Sequence, residues 1–161
     1  DGYSFKTFRI NPQKNSISSN LIISIDEDSK GNIWIGTYGK GICKLNPQTG
    51  EFTSYENENN DSGGLPNDIN TLIVDNMDFL WSVNWFGVTR IELDSTLCQI
   101  KKCEKIPIKT IDTNEEFAVK TIFQDKSGNI WIGTNLNTFR VKNPYASPEE
   151  VEMETFYCHG E

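Results

Sequence analysis

The chain has 161 residues, of which 36% are hydrophobic and 11% aromatic, enough for one domain with a packed core and too apolar for a disordered chain. Its formal net charge of −8 argues against nucleic acid and anionic membrane surfaces as partners, and its 15 Lys and Arg residues are too scattered to favour a highly sulfated glycan. No apolar run approaches the roughly 18 residues of a spanning helix, so no direct membrane contact is expected within this sequence. We expect any export signal or membrane anchor to lie outside it.

Taken in chain order, the first predicted element is a β-strand at residues 3–10. Its pattern Phe5-Lys6-Thr7-Phe8 returns 47 residues later as Phe52-Thr53-Ser54-Tyr55. The later copy closes a complete unit of four strands. Residues 3–10 are therefore predicted to be an outer strand that lacks the first three strands of its own unit.

A ten-residue pattern then occurs three times. Asp28–Thr37 returns almost letter for letter as Asp125–Thr134, with a degenerate copy at Asp75–Asn84. In each copy an Asp begins a turn, and a β-prone run that contains a tryptophan follows it. The three repeat tryptophans are Trp34, Trp81 and Trp131. They lie 47 and 50 residues apart, which is typical of propellers and solenoids. We predict that the aspartates form turns and that the tryptophans belong to the core.

The residues around each copy extend it to a unit of four short strands. The predicted units are residues 21–55, 69–112 and 118–157. Three segments are candidates for the outer strands of the second and third units: residues 97–100 or 106–108 in the second, and 154–157 in the third. No helix pattern is recognisable.

The strand that carries the tryptophan is apolar on both of its faces. Ile33 and Ile35 lie on one face, and Trp34 lies on the other. A sheet that is wedged between two neighbouring sheets needs this pattern, and propeller blades are wedged in this way. The sequence thus predicts an all-β fold, namely a β-propeller fragment of about three four-stranded antiparallel blades.

These residues resemble the two-component regulator propeller repeat. The resemblance rests on Asp-x-x-Gly-Asn-Ile-Trp-Ile-Gly-Thr at residues 28–37 and 125–134, on the strand and turn that follow at residues 41–55, and on Gly64-Leu65-Pro66-Asn67-Asp68-Ile69. Such repeats build the extracytoplasmic sensor half of hybrid histidine kinases, which are abundant in gut Bacteroidetes. The resemblance implies a periplasmic sensor segment without catalysis of its own, which responds to oligosaccharides released from polysaccharides.

In a blade, the loop between the second and third strands shares one rim with the loops that connect successive blades. The residues predicted on this rim combine aromatic rings with amides and a carboxylate, which suits a carbohydrate because sugars offer C–H faces and hydroxyls. The candidate ligand-binding residues are Tyr38, Asn67, Asp68, Asn84, Trp85, Phe86, Asn135 and Asn137. Trp85-Phe86 stands out because it replaces Gly-rich loop positions. The alternative interpretation is that Trp85 fills an irregular second blade.

Catalytic and metal-binding constellations are not recognisable. His159 is the only histidine and lies in a polar tail, so we predict no catalytic triad on the rim, no metal site and no cofactor. The spacing of acidic residues around Asp28 does not meet that of a calcium loop. Asp68 and Glu116 are a conceivable carboxylate pair for glycoside cleavage, but nothing places them together, and we interpret both as ordinary loop residues.

The four cysteines contain no Cys-x-x-Cys motif. Cys43 alternates with Lys44 on its strand and is predicted to be a buried core thiol. Cys98 and Cys103 are candidates for a disulfide if the compartment is oxidising. The sequence leaves that alternative open.

Three classes of function remain open: a ligand-sensing propeller segment, a purely structural assembly module, and, more remotely, a propeller lyase or glycosidase. The fold alone does not decide among them. Three blades do not close a ring, so two apolar sheet faces are expected to need partners. The partners are other blades in cis or a second copy in trans, and in a homodimer strand 5–8 of one copy would complete the final blade of the other.

Overall fold

A computed structural model of the chain describes residues 4–58, 64–96, 98–108 and 118–157. Within these residues it contains twelve short β-strands and one 3₁₀ turn at Pro148–Glu150. The strands are β1 (Ile22–Glu27), β2 (Ile33–Thr37), β3 (Ile42–Asn46), β4 (Glu51–Tyr55), β5 (Thr71–Val74), β6 (Leu80–Asn84), β7 (Gly87–Leu93), β8 (Ile100–Ile106), β9 (Val119–Gln124), β10 (Ile130–Thr134), β11 (Asn137–Val141) and β12 (Met153–Tyr157).

The strands form three antiparallel sheets of four strands each, and every sheet takes its strands in chain order. Blade 1 is β1–β4, blade 2 is β5–β8 and blade 3 is β9–β12. The first strands of successive blades lie next to one another, so β1, β5 and β9 are the inner strands of a radial arrangement. The predicted all-β propeller fragment of three four-stranded blades is confirmed.

Each junction between two blades is closed by its own hydrophobic cluster. Trp34 of blade 1 packs with Leu72, Leu80 and Ile91 of blade 2. At the second junction Trp81 packs with a larger set from blade 3, namely Ile122, Ile130, Ile132, Phe139 and Val141. We call the face of a blade that carries its repeat tryptophan the rear face, and the opposite face the front face. The rear face of each blade thus packs on the front face of the next.

The predicted strand at residues 3–10 is not formed: residues 4–10 are irregular, and residue 3 lies outside the described ranges. The physical reason is that a strand needs a neighbouring strand for its backbone hydrogen bonds, whereas these residues pack through side chains. Phe8 lies edge-on to Phe52, with ring centroids 5.2 Å apart. Ile17 is buried with Cys43 and Leu45 in a third cluster. The segment therefore covers the outer part of the front face of blade 1.

Two outer strands depart from the sequence interpretation. In blade 2, neither proposed segment is the fourth strand, because β8 spans Ile100–Ile106, between and partly overlapping them. Pairing with the seven-residue strand β7 decides its place, as Val88 lies opposite Ile106 and Leu93 opposite Ile100. In blade 3 the predicted residues 154–157 all lie in β12.

The repeat tryptophans do not share one degree of burial. Trp34 and Trp81 are completely buried, as predicted. Trp131 is only partly buried, which corrects the prediction that all three are core residues. The cause is its place on the rear face of blade 3, where no further sheet among the described residues covers it.

Candidate functional site

The rim formed by the β2–β3, β6–β7 and β10–β11 loops carries the predicted ligand-binding residues. Trp85 and Phe86 form the tip of the β6–β7 hairpin. Asn84 sets the shape of this tip, because its side-chain oxygen accepts a hydrogen bond from the backbone N–H of Phe86 at 3.0 Å. Such a bond over two residues closes a tight turn and leaves the intervening side chains outside the packed sheet.

Trp85 and Phe86 are the most exposed adjacent aromatic pair on this rim. The exposed fraction is 48% for Trp85 and 93% for Phe86. The ammonium group of Lys120, on the first strand of blade 3, lies 3.8 Å from the centroid of the Trp85 ring. This distance is typical of a cation–π contact. Trp85 therefore bridges two blades at the rim rather than filling the interior of blade 2, and sequence reasoning did not identify Lys120.

Three of the predicted amides hold their own loops together. The Asn67 side chain accepts from the N–H of Asn57 at 2.8 Å and donates to its carbonyl at 3.0 Å. The Asn135 side chain accepts a hydrogen bond from the N–H of Ala118 at 2.8 Å. The Asn84 side chain accepts one from the N–H of Phe86. Asn137 is half-buried, and its carbonyl accepts a hydrogen bond from the Thr134 hydroxyl at 2.8 Å. The side-chain amides of Asn67, Asn84 and Asn135 therefore make loop hydrogen bonds that would compete with ligand binding.

The remaining predicted residues, Tyr38 and Asp68, are exposed. They belong to one part of the rim, because a Cβ placed on Gly39 would come within 4.0 Å of the Asp68 carboxylate. Asn84 and Phe86 line a separate open cavity of about 800 Å³ together with Leu65, Val88 and Ile106. The structure thus places Asn84 and Phe86 at this cavity and Tyr38 near Asp68, rather than all the candidates in one pocket.

The repeat aspartates do more than form turns. Asp28 accepts a hydrogen bond from the Trp34 indole N–H at 2.9 Å, Asp75 from that of Trp81 at 2.8 Å and Asp125 from that of Trp131 at 2.8 Å. Sequence reasoning missed this bond, although the fixed spacing of six residues between Asp and Trp was available as a signal. Each carboxylate therefore fastens a surface turn to the packed strand beside it.

These hydrogen bonds shift the acidity of two of the carboxyl groups. The indole of Trp131 and the amide of Asn129 lower the pKa of Asp125 from 3.8 to about 2. For Asp28, burial raises the pKa, but the hydrogen bonds from Asn32 and Trp34 outweigh it and the net shift is downward. Both aspartates therefore act as ionised acceptors at neutral pH.

Other chemical groups in the described ranges do not form a recognisable centre. Cys43, Cys98 and Cys103 are free thiols, so the conceivable Cys98–Cys103 disulfide is not formed. Burial raises the pKa of the Cys103 thiol to about 11. Across the described residues there is no group of three or more His, Cys, Asp or Glu side chains that could hold a metal ion. Glu116, Cys158 and His159 lie outside the described residues.

One further property bears on the membrane question. No helix in the described part of the chain is long and apolar enough to cross a bilayer.

The sequence match to a known family lies around the repeated ten-residue pattern. The family model for the two-component regulator propeller matches residues 16–39 and 115–136, around the first and third copies of the ten-residue pattern. No curated protein is significantly similar to the chain in sequence.

Solved structures show the same architecture. The extracellular domain assigned to the hybrid two-component system BT3049 from B. thetaiotaomicron matches 94% of this chain with a TM-score of 0.66 at 21% identity. That of BT4673 from the same organism matches 93% with a TM-score of 0.64 at 18% identity. Virginiamycin B lyase from Staphylococcus aureus matches 88% of the chain and 42% of its own length, with a TM-score of 0.58 at 16% identity. Identities this low establish the fold alone.

The chain spans only 19% and 18% of the lengths of the two B. thetaiotaomicron domains. The resemblance seen in the residues is nevertheless confirmed by the family match. Residues 16–39 and 115–136 match the two-component regulator propeller repeat, and the three blades share their fold with the extracellular domains assigned to two hybrid two-component systems.

Proposed function

We propose that the chain is part of the periplasmic sensor region of a hybrid two-component histidine kinase and that its rim binds oligosaccharides without converting them. The observation that supports this most directly is the exposed pair Trp85 and Phe86 beside the ammonium group of Lys120. Aromatic rings that are not packed in the core can stack on the C–H faces of a sugar, and an ammonium group can donate hydrogen bonds to the sugar hydroxyls. Tyr38 and Asp68 add a phenol and a carboxylate farther along the rim.

The absence of conversion is part of the proposal. Acyl or glycosyl transfer needs a nucleophile with a base, or two carboxyl groups on either side of a bond. On the rim described here, Asp68 is an isolated exposed carboxylate, and the amides of Asn67, Asn84 and Asn135 hold loops. The likeness to a lyase extends to the fold, which is shared by many functions.

The test is calorimetric titration of the purified chain with neutral oligosaccharides prepared from several polysaccharides. Trp85→Ala and Phe86→Ala are each expected to raise Kd about two- to twelvefold, if a stack contributes roughly 0.5–1.5 kcal/mol as an aromatic pair does. Phe5→Ala is the matched control, since Phe5 is an exposed aromatic residue of the N-terminal segment.

Two outcomes would contradict the proposal. No heat of binding with any oligosaccharide, in a folded chain, would favour the structural assembly module instead. Turnover of a saccharide that Asp68→Asn or Glu116→Gln abolishes would show a glycosidase or lyase.

A further inference from the structure

The tip of the β6–β7 hairpin separates two surfaces of different chemistry. On one side, the centroid of the Trp85 ring lies 3.8 Å from the ammonium group of Lys120. On the other side, Phe86 lines the open cavity of about 800 Å³, to which neither Trp85 nor Lys120 contributes. Consecutive Cα atoms lie about 3.8 Å apart. A ligand that stacks on Trp85 can therefore reach the cavity through its own substituents.

The deepest part of the cavity wall is aliphatic and firmly packed. Leu65, Val88 and Ile106 are only 8%, 2% and 3% exposed. Leu65 belongs to the hydrophobic cluster of the first blade junction, and Val88 and Ile106 belong to that of the second. Because both junctions hold these side chains in place, the wall is formed without a ligand. A preformed apolar cavity of this size is typical of small-ligand sites.

The rest of the wall adds hydrocarbon and offers few hydrogen-bonding groups. Its other apolar side chains are Pro66, Pro107, Ile108 and Pro148, and proline has no backbone N–H to donate. The side-chain oxygen of Asn84 already accepts a hydrogen bond from the N–H of Phe86. The backbone N–H and carbonyl of Asn57 are both bonded to the Asn67 side chain. These polar groups are thus used within the protein.

Two charged side chains line the cavity, and both are exposed. They are Lys105 on β8 and Glu149 in the 3₁₀ turn. Their charges are opposite, so the lining carries no net charge. Charge complementarity therefore favours an uncharged occupant over a free carboxylate, and an ester over the corresponding acid.

An unsubstituted sugar unit would be poorly accommodated in this cavity. Nearly every ring carbon of a sugar carries an oxygen atom, and a buried hydroxyl without a hydrogen-bond partner costs free energy. A short acyl group has the opposite chemistry, because it presents hydrocarbon and a single carbonyl. Its hydrocarbon is stabilised when it leaves water for an aliphatic surface. The cavity therefore suits an acyl group, and the rim beside it suits the sugar that carries the group.

We propose that the ligand of this rim is an oligosaccharide that carries a short acyl ester. One sugar unit stacks on Trp85 beside Lys120, and the acyl group of that unit or of its neighbour enters the cavity next to Phe86. Because Phe86 follows Trp85 directly in the chain, the two places form one continuous site. This inference rests on the proposed function and adds to it the class of oligosaccharide.

The test compares matched pairs of oligosaccharides by calorimetric titration of the full chain. Oligosaccharides are released enzymatically at neutral pH from acetylated xylan, acetylated glucomannan and feruloylated arabinan, and one half of each preparation is de-esterified with mild alkali. In a preparation that binds, the esterified half is expected to have the lower Kd. The expected factor is about fourfold for the methyl group of an acetyl ester and larger for a feruloyl ring, since each buried apolar carbon contributes about fourfold.

Substitutions in the cavity wall identify where the ester binds. Pro107→Asp, at an exposed position of the wall, and Ile108→Asp are each expected to remove the advantage of the esterified half, because a charged group replaces hydrocarbon. Ile10→Asp is the matched control, since Ile10 is exposed in the N-terminal segment, and it is expected to keep the advantage. Trp85→Ala is expected to raise the Kd of both halves by the same factor.

The possible failures of this test are distinguishable. Equal affinity of the two halves, in every preparation that binds, would overturn the acyl inference and leave the proposed function standing. An ester advantage that persists in Pro107→Asp and Ile108→Asp, both folded by circular dichroism, would also overturn it, because the ester would then bind elsewhere. If the folded chain binds neither half of any preparation, the proposed function itself is contradicted, and this inference with it.

Discussion

Because the equivalent tryptophans Trp34 and Trp131 are buried to different degrees, replacing each by alanine is expected to lower the free energy of unfolding by different amounts. Trp34→Ala removes a completely buried indole and leaves the Asp28 carboxylate without its 2.9 Å partner. Truncation of a buried aromatic side chain costs roughly 3–5 kcal/mol, and the lost charge-assisted hydrogen bond puts Trp34→Ala at the upper end of that range.

Trp131→Ala removes the same atoms and the same type of bond to Asp125. Its indole is partly exposed on the rear face of blade 3, so less apolar area returns to water and a smaller cavity is left. We expect a cost of about 2 kcal/mol, roughly half of that for Trp34. The expected difference between the variants is therefore about 2–3 kcal/mol.

The measurement is urea unfolding followed by far-UV circular dichroism, because fluorescence would change with the tryptophan itself. Linear extrapolation gives the free energy of unfolding for each variant. If the two variants lose the same free energy of unfolding to within about 0.5 kcal/mol, the assignment of Trp131 to an open face is refuted. A loss below about 1 kcal/mol for Trp34→Ala would refute its place in the core.

Three further predictions concern the backbone, acid and thiols. Gly41→Ala is expected to cost at least about 1–3 kcal/mol in urea unfolding, because its φ is +61° and a Cβ would lie 2.2 Å from the Tyr55 carbonyl oxygen; an unchanged midpoint would contradict this. The folded pKa of Asp125, about 2, lies below its usual 3.8, so its contribution to stability is present above the usual pKa and lost as pH falls towards 2; Asp125→Asn should flatten that part of the pH profile. Because burial raises the pKa of Cys103 to about 11, this thiol is expected to react with DTNB at pH 8 much faster in urea than in the folded chain.

The sequence predicted the inner three strands of each blade better than the outer strand. The Asp-x-x-Gly-Asn turn and the tryptophan strand form a local hairpin, so pattern and structure agree closely at residues 28–37. The position of the outer strand depends instead on the length of the third strand, with which it pairs. Leu97, Pro107 and nearby apolar residues suggested two positions, whereas the extended strand β7 placed β8 at Ile100–Ile106.

The sequence predicted which types of residue lie on the rim, but not which groups their side chains contact. The sequence left open whether Trp85 fills blade 2; Trp85 and Phe86 are exposed because they form the tip of the β6–β7 hairpin. The amides of Asn67 and Asn135 bond to backbone groups of Asn57 and Ala118. Those partners lie 10 and 17 residues away in sequence, and only the folded loops reveal them.

The residues that serve the junctions were visible in the repeat but had no recognisable role. Lys44, Arg90 and Arg140 stand at one position of the pattern, yet a basic residue in a strand is ordinarily a solvent-facing residue. The acceptors of Lys44 and Arg90 include backbone carbonyls of the next blade, which carry no sequence signature. Physical contact between blades was needed to identify this role.

The bond between each repeat aspartate and its tryptophan also bears on how a blade finds its alignment during folding. Alternation of side chains excludes a slip of one residue between paired strands, but it tolerates a slip of two, which returns every side chain to its face. A slip of two between β1 and β2 would carry Trp34 away from Asp28 and leave the buried indole N–H without an acceptor. Ten contiguous residues thus encode their own strand alignment, and this alignment survives when the unit is duplicated.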